Sequence, residues 1–296
     1  MRRVLVTGAN KGIGLAIVEA LLVRYPDVFC YLGCRNQGRA NNAMNYLVSR
    51  DPSFSARIQF LPLDVASDAS VEGSAVMLEH QLKTSGDQLY GIVNNAGIFS
   101  SERGAREVID VNVFGLKRVF DEFSRILKKS DARVVNIASA SGPNHLASAD
   151  PGIREILTNK NVNWEDIADL CEQFSRQLKM NGADDAQTSS KAYGFSKACA
   201  NALTIVQART NPTIKINSCT PGFIETDLTR TLAAGQGKSP SSMGMKQPRD
   251  GVESTIFLLM SADALVSGQY FGSDCKRSPL DRYRAPGDEP FLGDAG

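Results

Sequence analysis

Histidine is almost missing from this chain. Only His80 and His145 occur among 296 residues. The six cysteines (Cys30, Cys34, Cys171, Cys199, Cys219, Cys275) are scattered, with no Cys-x-x-Cys pair. The two residue types together match no zinc-ligand spacing, so no metal centre is expected. The same scatter predicts reduced thiols, as in a cytoplasmic enzyme, and no disulfide framework. Charge of one sign is also lacking, because the net charge is +1. A basic field for nucleic acid or for an anionic membrane is thereby excluded. No apolar run approaches the length of a bilayer span. Met1-Arg2-Arg3 leads straight into Val4-Leu5-Val6 without a long apolar leader, so a secretory signal is not expected. Internal repeats are absent too.

What is present suits a large core. Hydrophobic residues make up 42% and charged residues 22% of the chain, within the range of one large α/β domain. Strand-like runs alternate with helical patterns: 2–7, then 13–21; 28–34, then 36–50; 58–65, then 71–82; 89–93, then 106–127; 133–139. That alternation predicts a doubly wound parallel sheet with helices on both faces. Ligands then bind beyond the carboxyl ends of the strands. The strand over 214–219 and a last one within 268–272 complete the pattern, with a helix over 250–260 between them. Residues 1–275 read as one domain.

The first strand ends in Thr7-Gly8-Ala9-Asn10-Lys11-Gly12-Ile13-Gly14, and helical spacing follows at once. Strand, glycine turn and helix is the setting of a phosphate-binding loop. The glycines permit a tight turn and a close backbone approach, and the helix N-terminus offers unpaired N–H groups. Dinucleotide sites that prefer NAD place an acid about 20 residues beyond the glycine loop, on the ribose 2′-hydroxyl. Here the second strand ends in Cys34-Arg35 with no acid. Arg35, with Lys11 in the loop, suits a 2′-phosphate and therefore NADP(H). Asp64, ending the third strand, can bond an adenine amino group or cap the next helix; the sequence leaves both open. Asn112 lies inside an apolar helical stretch, where a weak helix former needs a polar reason.

After Ser139 the alternation breaks. Residues 140–190 hold no strand pattern. Asn163, as N-cap with Glu165 and Asp166 in the first turn, opens a helix with apolar Ile167, Leu170, Phe174 and Leu178, closed by Asn181-Gly182. This predicts an inserted helical subdomain. Then comes Ser190-Lys191-Ala192-Tyr193-Gly194-Phe195-Ser196-Lys197. On a helix, Tyr193 and Lys197 share one face. A fixed cation there favours phenolate and lowers the tyrosine pKa, which makes a general acid. Alone, Tyr-x-x-x-Lys is commonly an accident of composition. Residues 227–248 include a stretch rich in Gly, Ser and Pro from 233, which predicts a mobile substrate loop. The polar segment 276–296 predicts a poorly ordered tail.

Taken in order, Thr7-Gly8-x-x-x-Gly12-x-Gly14, Asn94-Asn95-Ala96-Gly97, Asn112, Ser139, Tyr193-x-x-x-Lys197 and Pro221-Gly222 resemble the short-chain dehydrogenase/reductase family over about residues 2–275. The gap of 54 positions from Ser139 to Tyr193 is longer than in most members. It resembles the monomeric NADPH-dependent carbonyl reductases and the plant menthone and salutaridine reductases. The resemblance implies a Rossmann fold, NADP(H) and a small-molecule carbonyl substrate (ketone, aldehyde or quinone) reduced to an alcohol. It also implies a monomer, since the insertion covers the tetramer surface of other members. Tyr193 would be the general acid, Ser139 a donor to the substrate oxygen, and Lys197 the residue that tunes Tyr193 and bonds the ribose. Asn112 would hold a water on a proton relay. The cofactor site would comprise Gly8, Asn10, Lys11, Gly12, Ile13, Gly14, Arg35, Asp64, Val65, Asn94, Ala96, Gly97, Tyr193, Lys197, Pro221, Gly222, Ile224 and Thr226. Two alternatives remain: a reductase dedicated to one terpenoid- or alkaloid-like ketone, and a non-catalytic NADP-sensing protein, which would be expected to lose Tyr193 or Lys197.

Overall fold

The structure, a computed structural model, describes residues 1–99, 104–180, 186–235 and 237–293. Seven parallel strands form one sheet: β1 (Arg2–Thr7), β2 (Val28–Cys34), β3 (Ile58–Pro62), β4 (Leu89–Asn94), β5 (Arg133–Ile137), β6 (Lys215–Cys219) and β7 (Tyr270–Phe271), in the order β3-β2-β1-β4-β5-β6-β7. Val4 of β1 pairs with Cys30 of β2 and with Gly91 of β4. The order reverses between β1 and β4, and in open α/β sheets the ligand crevice opens at that point.

The helices are α1 (Gly12–Arg24), α2 (Gln37–Arg50), α3 (Asp68–Ser85), α4 (Ala105–Ile109), α5 (Gly115–Phe123), α6 (Ser141–Ala147), α7 (Pro151–Thr158), α8 (Trp164–Met180), α9 (Ala186–Thr210), α10 (Asp227–Gly235) and α11 (Glu253–Met260). Strand side chains alternate between two cores. Val4, Val6, Cys30, Leu32, Val93 and Val135 face α1, α2 and α11. Leu5, Tyr31, Ile92, Val134 and Ile216 face α3 and α5. Both sheet faces are therefore covered, as the near-continuous apolar strands require.

The break after Ser139 holds helices joined by short turns, and no strand, among the described residues. Here α7 and α8 pack on α9 with a third core that includes Leu157, Ile167, Leu170, Cys171, Phe195 and Cys199. Asn163 and Asp166 cap α8 reciprocally: Asp166 N–H donates to Asn163 Oδ1 (2.8 Å) and Asn163 N–H to Asp166 Oδ2 (3.1 Å). The expected Asn181-Gly182 stop lies outside the described residues.

Two expectations are corrected, over 106–127 and in the tail, and the stretch after Thr226 takes a defined path. The continuous helix expected over 106–127 is broken by a π turn at Asp110–Phe114, closed by Gly115 N–H on Asp110 O, and Asn112 sits within it. The stretch after Thr226 begins with α10, and its far end pairs back on the loop after β6: Glu225 N–H donates to Lys246 O (2.8 Å) and Lys246 N–H to Phe223 O (2.9 Å). The tail is anchored over 276–293. Arg284 pairs with the half-buried Asp274, Gly287 N–H donates to Asp274 Oδ2 (3.0 Å), and the Arg277 and Arg282 guanidinium groups each sit 5.4 Å from the centre of the Phe291 ring. Its polar residues bond the domain rather than solvent alone. No metal-binding cluster and no helix long and apolar enough to cross a membrane occur among the described residues, and the six cysteines are unbridged.

Candidate active site

The loops after β1 and β4 lock together at the carboxyl edge. Thr7 Oγ1 accepts from Asn95 N–H and Ala96 N–H (both 3.0 Å), while Asn95 Nδ2 donates to Thr7 O (2.9 Å). Two glycines make this possible. Gly8 has φ +65°, and a Cβ there would lie 3.0 Å from Ala96 Cα. A Cβ on Gly14 would lie 2.5 Å from Asn95 Nδ2 and 2.6 Å from Gly8 O. Gly14 therefore shapes the loop from beneath rather than lining the cleft. Asn95, part of the expected Asn94-Asn95-Ala96-Gly97 turn but not of the assigned cofactor residues, lines the cleft, whereas Asn94 does not. Asn94 is buried and donates through Nδ2 to Asn136 Oδ1 (2.8 Å). The strand's period of two, which turns successive residues to opposite faces, separates these neighbours.

A cleft of about 870 Å³ runs over the sheet edge. One end is lined by Lys11, Arg35, Asn36 and Arg39. The Arg35 side chain is 73% exposed and stands 3.9 Å from Asp64. Lys11 Nζ pairs with Asp227 Oδ2 across the cleft (2.6 Å), and this bond holds the Asp227 carboxyl below its usual value. Arg39 was missed from sequence; its signal is the Arg35-x-x-x-Arg39 spacing at the start of α2. Asp64 Oδ1 accepts from Ala66 N–H (3.1 Å), and Ser67, not Asp64, caps α3. With no carboxylate ending β2 and three cations close by, this end fits a phosphorylated ribose. The glycine-shaped cradle beside it fits a pyrophosphate.

The catalytic candidates meet on the opposite wall. From α9 come Tyr193 and Lys197, one turn apart, and Lys197 Nζ lies 5.6 Å from the Tyr193 ring centre. Lys197 is 6% exposed and donates to Ile137 O (2.7 Å). Burial lowers its pKa to about 8. Tyr193 behaves differently from expectation. Desolvation pushes its phenol pKa up, and the Ser139 hydrogen bond acts in the opposite direction; Lys197 is not the dominant influence. Phe99 tilts against the Tyr193 ring at 5.2 Å. Ser139, just past β5, accepts at Oγ from Ser141 N–H (3.1 Å) and donates to Ser141 Oγ (3.2 Å).

Asn112 is 3% exposed and does not line the cleft. Its Oδ1 accepts from Ile98 N–H (2.9 Å), and Nδ2 donates to Ile98 O (2.9 Å) and Ser196 Oγ (3.0 Å). It thus ties the β4 loop to the catalytic helix. The remaining expected residues (Gly8, Asn10, Gly12, Ile13, Val65, Ala96, Gly97, Pro221, Gly222, Ile224 and Thr226) all border the cleft. Thr229, also unpredicted, pins the last of these: its Oγ1 donates to Ile224 O (2.6 Å) and accepts from Thr226 N–H (2.9 Å).

Fold and cleft together define a dinucleotide-binding α/β protein with a tyrosine, a serine and a buried lysine at the end of its site. A model of the short chain dehydrogenase family matches residues 2–150, half of the chain, and the protein belongs to that family. Carbonyl reductase [NADPH] 1 of Macaca fascicularis is 29% identical over 278 residues, covering 89% of this chain and 93% of the relative. (+)-Neomenthol dehydrogenase of Arabidopsis thaliana is 29% identical over 271 residues, covering 80% and 89%. Among solved structures, salutaridine reductase from Papaver somniferum superimposes with a TM-score of 0.74 at 24% identity over 91% of this chain and 99% of that one, a likeness of fold.

Proposed function

We propose that this protein is an NADP(H)-dependent oxidoreductase that reduces a ketone, aldehyde or quinone to the alcohol. The observation that carries this is the convergence of Ser139, Tyr193 and Lys197 on the wall of a cleft whose far end gathers Lys11, Arg35 and Arg39. The likeness to carbonyl reductases named for NADPH supports the same cofactor and chemistry.

When bound, the nicotinamide supplies the hydride. The residues of this chain do the rest. Lys11, Arg35 and Arg39 would hold the 2′-phosphate, and the Gly8–Ile13 turn would hold the pyrophosphate. Val65, Ala96 and Gly97 would border the adenosine, and Pro221 to Thr226 the nicotinamide. Tyr193 would direct its hydroxyl at the substrate oxygen, and Ser139 would do so once its proton turns from Ser141 Oγ to that oxygen. Tyr193, kept protonated by burial at neutral pH, donates its proton there as negative charge grows. Tyr193 would then need a proton back, and Lys197, brought down to about 8 by burial, would exchange protons near physiological pH and could supply it.

The insertion supports a monomer. Trp164 of α8 lies edge-on to Phe114 at 5.3 Å, and Lys117 stands 5.0 Å from the centre of the Trp164 ring. The insertion thereby packs on α5 and α9, the surface that the family resemblance gives to subunit contacts in other members. The composition and the unbridged thiols support a cytoplasmic setting. Similarity to (+)-neomenthol dehydrogenase favours, as a second reading, a reductase dedicated to one terpenoid-like ketone. Oxidation of NADPH against a panel of quinones, aromatic aldehydes and cyclic ketones, with NADH as control, tests both. Broad turnover supports the first reading, one efficient ketone the second, and no turnover with any carbonyl refutes both.

A further inference from the structure

Lys11 has two claimants. In the structure its Nζ bonds Asp227 Oδ2 at 2.6 Å, an ion pair that runs from the glycine loop to the first residue of α10. The two segments adjoin, since a Cβ on Gly12 would lie 3.5 Å from Thr226 Cγ2. Asp227 is held in place for this contact. Its Oδ1 accepts from Arg230 Nη1 (3.2 Å), and Arg230 Nε donates in turn to Glu225 Oε1 (3.0 Å). Lys11, Asp227, Arg230 and Glu225 all line the cleft. The same Lys11 belongs to the end that gathers Arg35 and Arg39, where a phosphorylated ribose fits. The Lys11 and Asp227 side chains are 56% and 59% exposed, so their pair is weak enough to be exchanged. A phosphate monoester carries about −2 charge near pH 7 and three acceptor oxygens, against the single charge of a carboxylate. It outcompetes Asp227 for the lysine, but only by breaking a bond that already exists.

We infer that Asp227 is a positioning residue for Lys11 that competes with the cofactor's 2′-phosphate, and that this competition limits NADPH affinity and speeds NADP⁺ release. This rests on the NADP(H) reading above. In the cofactor-free cleft Lys11 is turned to α10. When the phosphate arrives, Lys11 leaves Asp227, which keeps Arg230 as its partner. On release, Asp227 takes Lys11 back. A cofactor without the 2′-phosphate gives Lys11 nothing to leave for, so NADH binds with the pair intact. Asp227 therefore narrows the preference for NADPH over NADH that Lys11 and the two arginines create.

The test is equilibrium titration with NADPH and with NADH, read by cofactor fluorescence in the absence of substrate. It compares wild type, Asp227→Asn, Asp227→Glu, Lys11→Ala and the double variant Lys11→Ala with Asp227→Asn. Loss of one exposed ion pair predicts that Asp227→Asn binds NADPH about twofold to fivefold more tightly, with NADH affinity unchanged. NADPH dissociation, read by stopped-flow displacement, slows by a similar factor. Asp227→Glu, which retains the carboxylate, stays near wild type. The gain vanishes in the Lys11→Ala background, because the competition needs the lysine. It also shrinks at high salt, where exposed charges are screened. Unchanged NADPH affinity in Asp227→Asn, equal tightening of both cofactors, or a gain that persists without Lys11 overturns the competition while the NADP(H) reading stands. A wild type that binds NADPH no more tightly than NADH removes the reading on which it rests.

Discussion

Replacing Lys197 with methionine should make the cofactor-free protein more stable at neutral pH while destroying its activity. Lys197 is 6% exposed and pairs with no carboxylate among the described residues; its Nζ donates to the Ile137 carbonyl. Burial takes its pKa from 10.5 to about 8. Each pKa unit is ~1.4 kcal/mol, so holding this ammonium in the folded state costs about 3 kcal/mol below pH 8. Methionine fills a similar volume without that charge, and it forfeits one hydrogen bond of about 1 kcal/mol. The expected net gain at pH 7 is about 2 kcal/mol. The folded value lies below the unfolded one, so between about pH 8 and 10.5 the unfolded chain binds the extra proton. Wild-type stability therefore rises across that window, and about 2 kcal/mol of the rise is complete by pH 9.5. Urea denaturation of both proteins at pH 7 and 9.5 measures this: the advantage of Lys197→Met should shrink as pH rises. A variant less stable than wild type at pH 7, or a pH-independent difference, would refute the reasoning.

Tyr193→Phe should lower kcat by at least about a hundredfold with NADPH binding retained, the usual size of a lost general acid; stopped-flow reduction with fluorescence-detected binding checks both halves, and normal turnover would remove Tyr193 from its role. Lys11→Ala with Arg35→Ala should raise the KM for NADPH at least about tenfold more than that for NADH, since two charge-assisted contacts to one phosphate are lost. Equal changes for the two cofactors would refute the 2′-phosphate assignment. Asn112→Ala should destabilise the fold by about 2–4 kcal/mol, because Ile98 N–H, Ile98 O and Ser196 Oγ each lose a buried partner. Thermal unfolding reads this, and a shift within error would mean that the tie is not structural.

Most of the cleft was legible because its residues lie at strand ends, and the strand and helix periodicities locate those ends. Glycine turns, the missing acid after β2 and the Tyr193–Lys197 spacing are local features, and each keeps its meaning in the fold. Asn94 and Asn95 show where locality stops. Asn94 ends β4 and Asn95 follows it, and only the side on which each projects decides which borders the cleft. Arg39 shares this limit, since it reaches the cleft only through the position of α2.

The sequence by itself determined the individual strands and helices, the glycine loop and the one-turn spacing of tyrosine and lysine, because these depend on residues a few positions apart. The tertiary structure decided what the side chains experience. Burial beside β5, not the neighbouring lysine, governs the Tyr193 proton. The π turn and its contacts make Asn112 a tie between a loop and a helix. Asp227 comes from more than two hundred positions away to pair with Lys11. The reason is the same in each case: desolvation and hydrogen-bond partners are set by what the folded chain brings within a few ångströms, and that distance is not written along the sequence.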